Sequence, residues 1–322
     1  MNDTERIERR LKLHDLRVLM SVVDRGSMAK AAERLATSQP AVSRAIADLE
    51  YSLGVRLLDR GPRGVVPTPY GRALIRRGIT VFDELRLGVK DLEFLADPTA
   101  GEARIAAPIA LATGFVAAVI DRLARQHPRI VCHLRVEGEM LYRALEEREV
   151  DLVIAFIDAS VAEGHMETEL LYADSQFVAA ATRNPWCRRR RVRLADLMNE
   201  PWTLPPPASQ SGAAFADIFR AAGLDLPAAT VACTNGVARL ALVAKGRFLT
   251  IVQGSVLAGR DMGIKALPID LPGFRRPIAI VTLKNRTLMP VAQLFIDCAR
   301  EGAKPLATSK SASARRRQAQ QK

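Results

Sequence analysis

Apolar residues recur at helical spacing through the first part of the chain. Leu16, Leu19 and Val23 step by three and four within the run Leu13 to Val23, which predicts one face of a helix. Gly26 ends that helix, and Ser27 is a favourable cap for a second one over 28–35. Its buried face is Ala31, Ala32 and Leu35, and the paired alanines let another backbone come close. Thr37 or Ser38 caps a third helix. Gln39 and Pro40 fall in its first turn, where proline is tolerated because its missing N–H would have had no partner. Val42, Ile46, Leu49 and Leu53 step 4, 3, 4 as its buried stripe, leaving Gln39, Ser43, Arg44 and Asp48 on the open side, and Gly54 closes it.

Two short helices, a tight turn and a polar-faced helix predict a helix-turn-helix, whose second helix enters the major groove of DNA. Two short extended runs then flank Gly61-Pro62-Arg63-Gly64 and predict a hairpin wing that carries Arg60 and Arg63. Thr68 caps a long helix over about 69–95, with Leu74, Val81, Leu85, Val89 and Leu92 as its apolar stripe. Asp97-Pro98-Thr99-Ala100-Gly101 breaks it and reads as a linker. The organisation expected is a winged helix-turn-helix over 1–70, a linker helix over 71–97, an α/β domain over 98–303 and a basic disordered tail over 304–322.

From residue 102 the period alternates between that of strands and that of helices. Strands are expected at 104–107, 130–136 and 151–156, with helices at 109–126 and 140–149 between them, and that βαβαβ order implies a mostly parallel sheet. Around 170–180 the chain crosses to a second lobe. Helices at 213–222 and 237–245 and strands at 230–233, 248–252 and 264–267 build it, and a strand at 277–283 returns to the first lobe. A helix at 290–300 closes the domain.

Composition narrows the function. The 322 residues are 48% hydrophobic and 25% charged, with a formal net charge of +12 that favours a polyanionic partner. Part of the excess sits in the run Arg188 to Arg191 with Arg193, and part in the tail, where Lys304, Lys310, Arg315, Arg316, Arg317 and Lys322 face no acid. Such runs are ordinarily solvated loops and tails, so the charge alone proves little. Cys132, Cys187, Cys233 and Cys298 lie far apart and form no Cys-x-x-Cys pair, which argues against a zinc site or a disulfide framework. His14, His127, His133 and His165 lie in no metal-binding spacing, and no Gly-x-Ser-x-Gly or Walker motif occurs. Asp158 and His165 fall near a possible cleft, but a lone acid or histidine is usually structural. An enzyme is therefore not expected, nor any cofactor. The polar N-terminus is no signal peptide, and the longest apolar stretch, 109–120, is too short to span a bilayer, so a cytoplasmic protein without a membrane partner is expected.

The run from Gly26 through Ser38-Gln39-Pro40-Ala41-Val42-Ser43-Arg44 to Ile46 resembles the signature of LysR-type transcriptional regulators. It continues through Leu49-Glu50, Leu53-Gly54, Leu57-Leu58-Asp59-Arg60 and Thr68-Pro69-Tyr70-Gly71. Leu58 departs from the family, which usually has Phe there, but keeps an apolar plug. The resemblance implies that Gln39, Pro40, Ser43 and Arg44 are recognition-helix residues and that Arg60 and Arg63 are wing residues. Ser27, Lys30 and Ser38 are phosphate contacts or caps. Gln can pair with adenine and Arg with guanine or phosphate. The matching long helix in the family pairs antiparallel with its copy, which implies a homodimer and, by further pairing, a homotetramer on double-stranded DNA. The rest of the chain resembles the family's two-lobed effector domain, which is like the periplasmic binding proteins. Val150 to Ile154, Phe219 to Leu224 and Gly236 through Gly246 are its landmarks. Ligands of such sheets bind beyond the carboxyl ends of strands. That selects Pro108, Ile109, Ala110, Gly138, Phe156, Asp158, Ser209, Ser211, Asn235, Thr250 and Val252 for a small-molecule effector. This cleft carries no evident arginine clamp, which leaves the charge of the ligand open. A constitutive architectural DNA binder is the other non-enzymatic reading, but it has no need of so large an α/β domain.

Overall fold

The structure is a computed structural model. It describes residues 11–61, 64–136, 140–157, 164–257, 262–269, 271 and 275–319, apart from the side chains of 210 and 308–319. The chain divides into two compact units, Met1–Lys90 and Asp91–Lys322. Arg63, Gly138 and Asp158 lie outside the described residues.

Among the described residues the first unit begins with α1 (Leu13–Arg25), α2 (Met28–Arg34) and α3 (Gln39–Leu53). Gly26 and Gly54 end α1 and α3 in left-handed backbone (φ 63° and 67°), a conformation that costs glycine little. The helical spacings converge on one core. Val18, Leu19 and Val22 of α1, Ala31 and Ala32 of α2, and Val42, Ile46 and Leu49 of α3 bury together with Leu57 and Leu58. Leu58, the departure from the family pattern, is buried in this core. A hairpin of β1 (Leu58–Gly61) and β2 (Gly64–Pro67) follows. Glu50 of α3 holds it from below, its Oε1 accepting the N–H groups of Leu57 (2.7 Å) and Leu58 (3.1 Å).

Helix α4 (Pro69–Ala96) is capped by Thr68, whose Oγ1 accepts the N–H of Gly71 (3.1 Å) and donates to the carbonyl of Arg56 (2.7 Å). Gly71 passes so close to the chain that a Cβ there would lie 2.1 Å from the Leu57 carbonyl oxygen. One face of α4 rests on α1, with Gly78 against Leu16 and Met20 and with Arg17 over the Phe82 ring (4.9 Å). The other face has no cover among the described residues, and Val81, Leu85, Val89, Leu92 and Leu95 are exposed along it.

Strand β3 (Ala100–Ala107) starts inside the expected linker and ahead of the strand expected at 104–107, within the expected domain of 98–303. Next come helix α5 over 109–126, β4 (Arg129–Val136), α6 (Leu141–Glu146), β5 (Leu152–Phe156) and β6 (Met166–Ala181). In the other lobe are β7 (Trp202–Leu204), α7 (Gln210–Ala221), β8 (Ala229–Ala232), α8 (Gly236–Ala244), β9 (Thr250–Gln253), α9 (Gly254–Leu257) and β10 (Ile264–Ala266). Strand β11 (Arg275–Leu283) and α10 (Pro290–Ala319) complete the chain.

The sheet of the first lobe runs β4-β3-β5-β11-β6. Only β4, β3 and β5 are parallel. Strands β11 and β6 run antiparallel to their neighbours, so the sheet is mixed rather than mostly parallel. The cause is topological, since these two strands join the lobes and, among the described residues, no helical crossover returns them in the parallel sense. Strand β6 pairs with β11 from Met166 to Ser175, then with β9 and β10 from Gln176 to Ala181. A single continuous strand thus belongs to both lobes.

The first lobe is fixed by a buried ion cluster. The Asp151 carboxylate receives the backbone N–H (2.8 Å) and Nη2 (2.6 Å) of Arg104 and the Nη2 of Arg286 (3.0 Å). The second lobe packs around Trp202, whose indole N–H donates to the Leu197 carbonyl (2.8 Å), with Phe219 edge-on at 5.4 Å. Helix α10 does not stop near residue 300 but continues to Ala319 with Pro305 inside it, which replaces the disordered tail expected from 304 with helix over 304–319. Its many Ala and Arg residues are strong helix formers.

Candidate functional site

The predicted DNA-facing residues cluster on the first unit. Ser38 is the cap of α3, and its Oγ accepts the Ala41 N–H (3.3 Å). Pro40 sits in the first turn. Gln39, Pro40 and Arg44 are exposed and Ser43 is half-buried, all on the side of α3 away from Val42, Ile46 and Leu49. Lys30 stands exposed on α2, and Arg60 stands exposed on β1 of the wing. Ser27 has the backbone of a cap residue, but its hydroxyl does not cap α2. Neither Arg44 nor Arg60 pairs with a carboxylate among the described residues. The surface is therefore cationic, with its donors unspent on the protein itself.

The predicted ligand residues divide. Pro108 caps α5 without a side-chain bond, and the first turns of α5 and α8 meet, with Ile109 beside Gly236. Ala110, on α5, packs into the cluster of Val243, Val252 and Leu240 that belongs to the other lobe. Asn235 caps α8, its Oδ1 accepting the N–H groups of Val237 (2.9 Å) and Ala238 (3.1 Å). Phe156 is half-buried at the end of β5, and the Arg276 guanidinium lies 4.5 Å from its ring. Of these positions, Ile109 and Ala110 touch the other lobe.

The others are corrected. Thr250 is 1% exposed, and its hydroxyl donates to the Thr203 carbonyl (2.8 Å) inside the second lobe. Val252 is buried in the cluster under α8. Both point into the protein because β9 is covered on both faces. Ser209 is an N-cap, accepting the Gly212 N–H (3.1 Å) and donating to the Pro206 carbonyl (2.7 Å), while Ser211 is exposed beyond it in α7. A cavity of about 500 Å³ lies at the rim of the second lobe, between α7, β7 and β8, and none of the predicted residues lines it.

Sequence reasoning missed the polar row on β6. Tyr172, Asp174 and Gln176 alternate along the strand and are buried where it passes between lobes. The Asp174 carboxylate accepts the N–H (3.2 Å) and hydroxyl (2.5 Å) of Ser255. Burial, with the charge of Asp174 adding to it, holds the Tyr172 phenol above its ordinary range. Gln176 is 4% exposed, and neither atom of its amide finds a hydrogen-bond partner among the described residues. Buried amides are nearly always satisfied, so an orphan there invites a ligand or water. The signal available in advance was polar alternation within an otherwise apolar strand.

Comparison with known proteins follows this division. Residues 13–72 match the bacterial regulatory helix-turn-helix of the lysR family, and residues 96–304 match the LysR substrate binding domain. The chain belongs to the LysR family of transcriptional regulators. It is 30% identical over 294 residues to the SDS degradation transcriptional activation protein of Pseudomonas sp. (strain ATCC 19151), covering 87% of this chain and 93% of that one. It is 28% identical over 291 residues to the transcriptional regulator GbpR of Azospirillum brasilense, covering 89% and 85%. Full-length CbnR bound to its target DNA has the same fold, with a TM-score of 0.64 at 22% identity over 91% of this chain and all of that one (100%). As a LysR-type protein, the chain is a DNA-binding transcriptional regulator with an effector-binding domain, and the family is one of regulators rather than enzymes. A full-length OxyR variant from Pseudomonas aeruginosa also shares the fold, with a TM-score of 0.64 at 20% identity, covering 92% of this chain and 96% of that one. Burial pushes the thiols of Cys132, Cys187 and Cys298 up here, the opposite of what a reactive thiolate needs. Among the described residues no helix is long and apolar enough to cross a membrane.

Proposed function

We propose that this LysR-type regulator reads DNA with the first turn of α3 and grips it with the wing. On this reading Gln39, Pro40, Ser43 and Arg44 meet base edges, and Lys30 and Arg60 meet phosphates, with Arg63, Ser27 and Ser38 beside them. The observation that carries the reading is the contrast across α3: one side is sealed in the core, while the other presents Arg44 and Gln39 without partners among the described residues. The uncovered stripe Val81, Leu85, Val89, Leu92 and Leu95 pairs with a second copy, so that two reading heads meet two half-sites. Two dimers associate further as a tetramer, and the protein works in the cytoplasm.

A small molecule binds between the lobes, where β6 crosses, and its binding shifts the lobes' equilibrium. The orphan amide of Gln176 supports this placement. The DNA reading is tested by gel shift on a fragment that the wild-type protein selects from random sequences. Arg44→Ala loses about 1–3 kcal/mol of specific affinity, and unchanged affinity removes Arg44 from the interface.

A further inference from the structure

We propose that the ligand of the cleft is an organic carboxylate and that Arg239 of α8 is the residue that holds its charge. This rests on the cleft reading above and adds the ligand's chemical class.

Arg239 is 8% exposed, yet no carboxylate pairs with it among the described residues. Its Nη1 donates to the carbonyls of Cys233 (2.7 Å) and Thr234 (3.1 Å), and the guanidinium carbon lies 5.7 Å from the Phe215 ring. These contacts occupy one corner of the group. The opposite edge, formed by Nε and Nη2, donates to nothing among the described residues. That edge presents two parallel N–H groups in one plane, the fork that a carboxylate accepts with both oxygens.

Nη2 of the free edge lies against Gly236, on the first turn of α8. A Cβ built on Gly236 would lie 3.7 Å from Nη2 and 3.8 Å from Cγ2 of Ile109, so the guanidinium, the first turn of α8 and the first turn of α5 converge on one place. Both helices bring their positive ends there, and α5 begins at Pro108 with no side chain capping it. The acid in the same region, Asp174, is already bonded to Ser255 and sits opposite Arg276 in the strand register, so it does not neutralise Arg239. Burying a cation without a counter-charge is costly, and burial lowers the arginine's pKa accordingly. A bound anion supplies the missing charge. The sequence conceals this arginine because it falls inside the otherwise apolar run Gly236 to Ala244.

The test is a thermal-shift screen of the full-length protein. The library holds small carboxylic acids, each with its primary amide, together with inorganic phosphate and phosphate monoesters. The proposal expects acids among the stabilisers and their amides to be silent. Arg239→Gln then weakens the best acid by about tenfold or more, and Arg239→Lys weakens it less. Should Arg239→Gln fold poorly, Asn235→Asp keeps the cap of α8 while adding a negative charge at the same place, and it weakens the acid too. Stabilisation only by amides or only by phosphates, a library without an acid hit, or an acid unaffected by these variants overturns the proposal. Gly236→Leu, which fills the space beside Ile109, separates the two readings. A neutral stabiliser lost in Gly236→Leu refutes the carboxylate but keeps the cleft, whereas a stabiliser indifferent to Gly236→Leu refutes the cleft itself.

Discussion

The two units of this chain keep their candidate recognition groups in opposite places. In the first unit they are outside: Gln39, Arg44, Arg60 and Lys30 stand in water around a small sealed core. In the second they are inside: Arg239 is 8% exposed and Gln176 4% exposed, each with donors or acceptors unspent among the described residues. A polyanion such as DNA approaches from outside and needs exposed cations on a rigid frame. A small ligand must be surrounded, so the groups that recognise it lie within the fold and are left unsatisfied until it arrives. Exposed groups add function with little effect on stability, whereas buried ones tie the two together.

Three substitutions sharpen that contrast. The largest effect is expected from Asp151→Ala, which removes the carboxylate that Arg104 and the buried Arg286 share and costs about 3–5 kcal/mol of stability, read by chemical denaturation. A loss under about 1 kcal/mol would show that water enters the cluster. Gln176→Leu is expected to act in the other direction. Removing an orphan amide of similar volume stabilises the ligand-free protein by about 1–3 kcal/mol and diminishes its thermal response to ligand. Destabilisation would mean that the amide is satisfied in solution. Arg60→Ala should be neutral in stability, and it should weaken binding alike on selected and unselected DNA while lowering the salt slope by about 1. A loss confined to the selected sequence would move Arg60 from phosphate to base contact.

The first unit was legible in the sequence because its determinants are local. Caps at Gly26, Ser38 and Gly54 and a three-and-four stripe through Val42, Ile46 and Leu49 specify helices without reference to distant residues. The order of strands and helices in the second unit was legible for the same reason. Pairing was not, because nothing local announces that β6 will run through both lobes or that β11 will return antiparallel. The cleft residues suffered most. Thr250 opens β9 instead of closing it, and the carbonyl of Thr203 takes its hydroxyl. Arg239 and Gln176 acquire their meaning only from what tertiary packing fails to give them.

The central claim is that reading DNA and sensing a ligand reside in separate units. It is tested most directly by scoring Arg44→Ala and Arg239→Gln in both assays, affinity for the selected DNA without ligand and thermal stabilisation by the best acid. The account predicts that Arg44→Ala weakens only the DNA complex and that Arg239→Gln weakens only the response to the acid. If either variant impairs both, the two functions are not separable in this way.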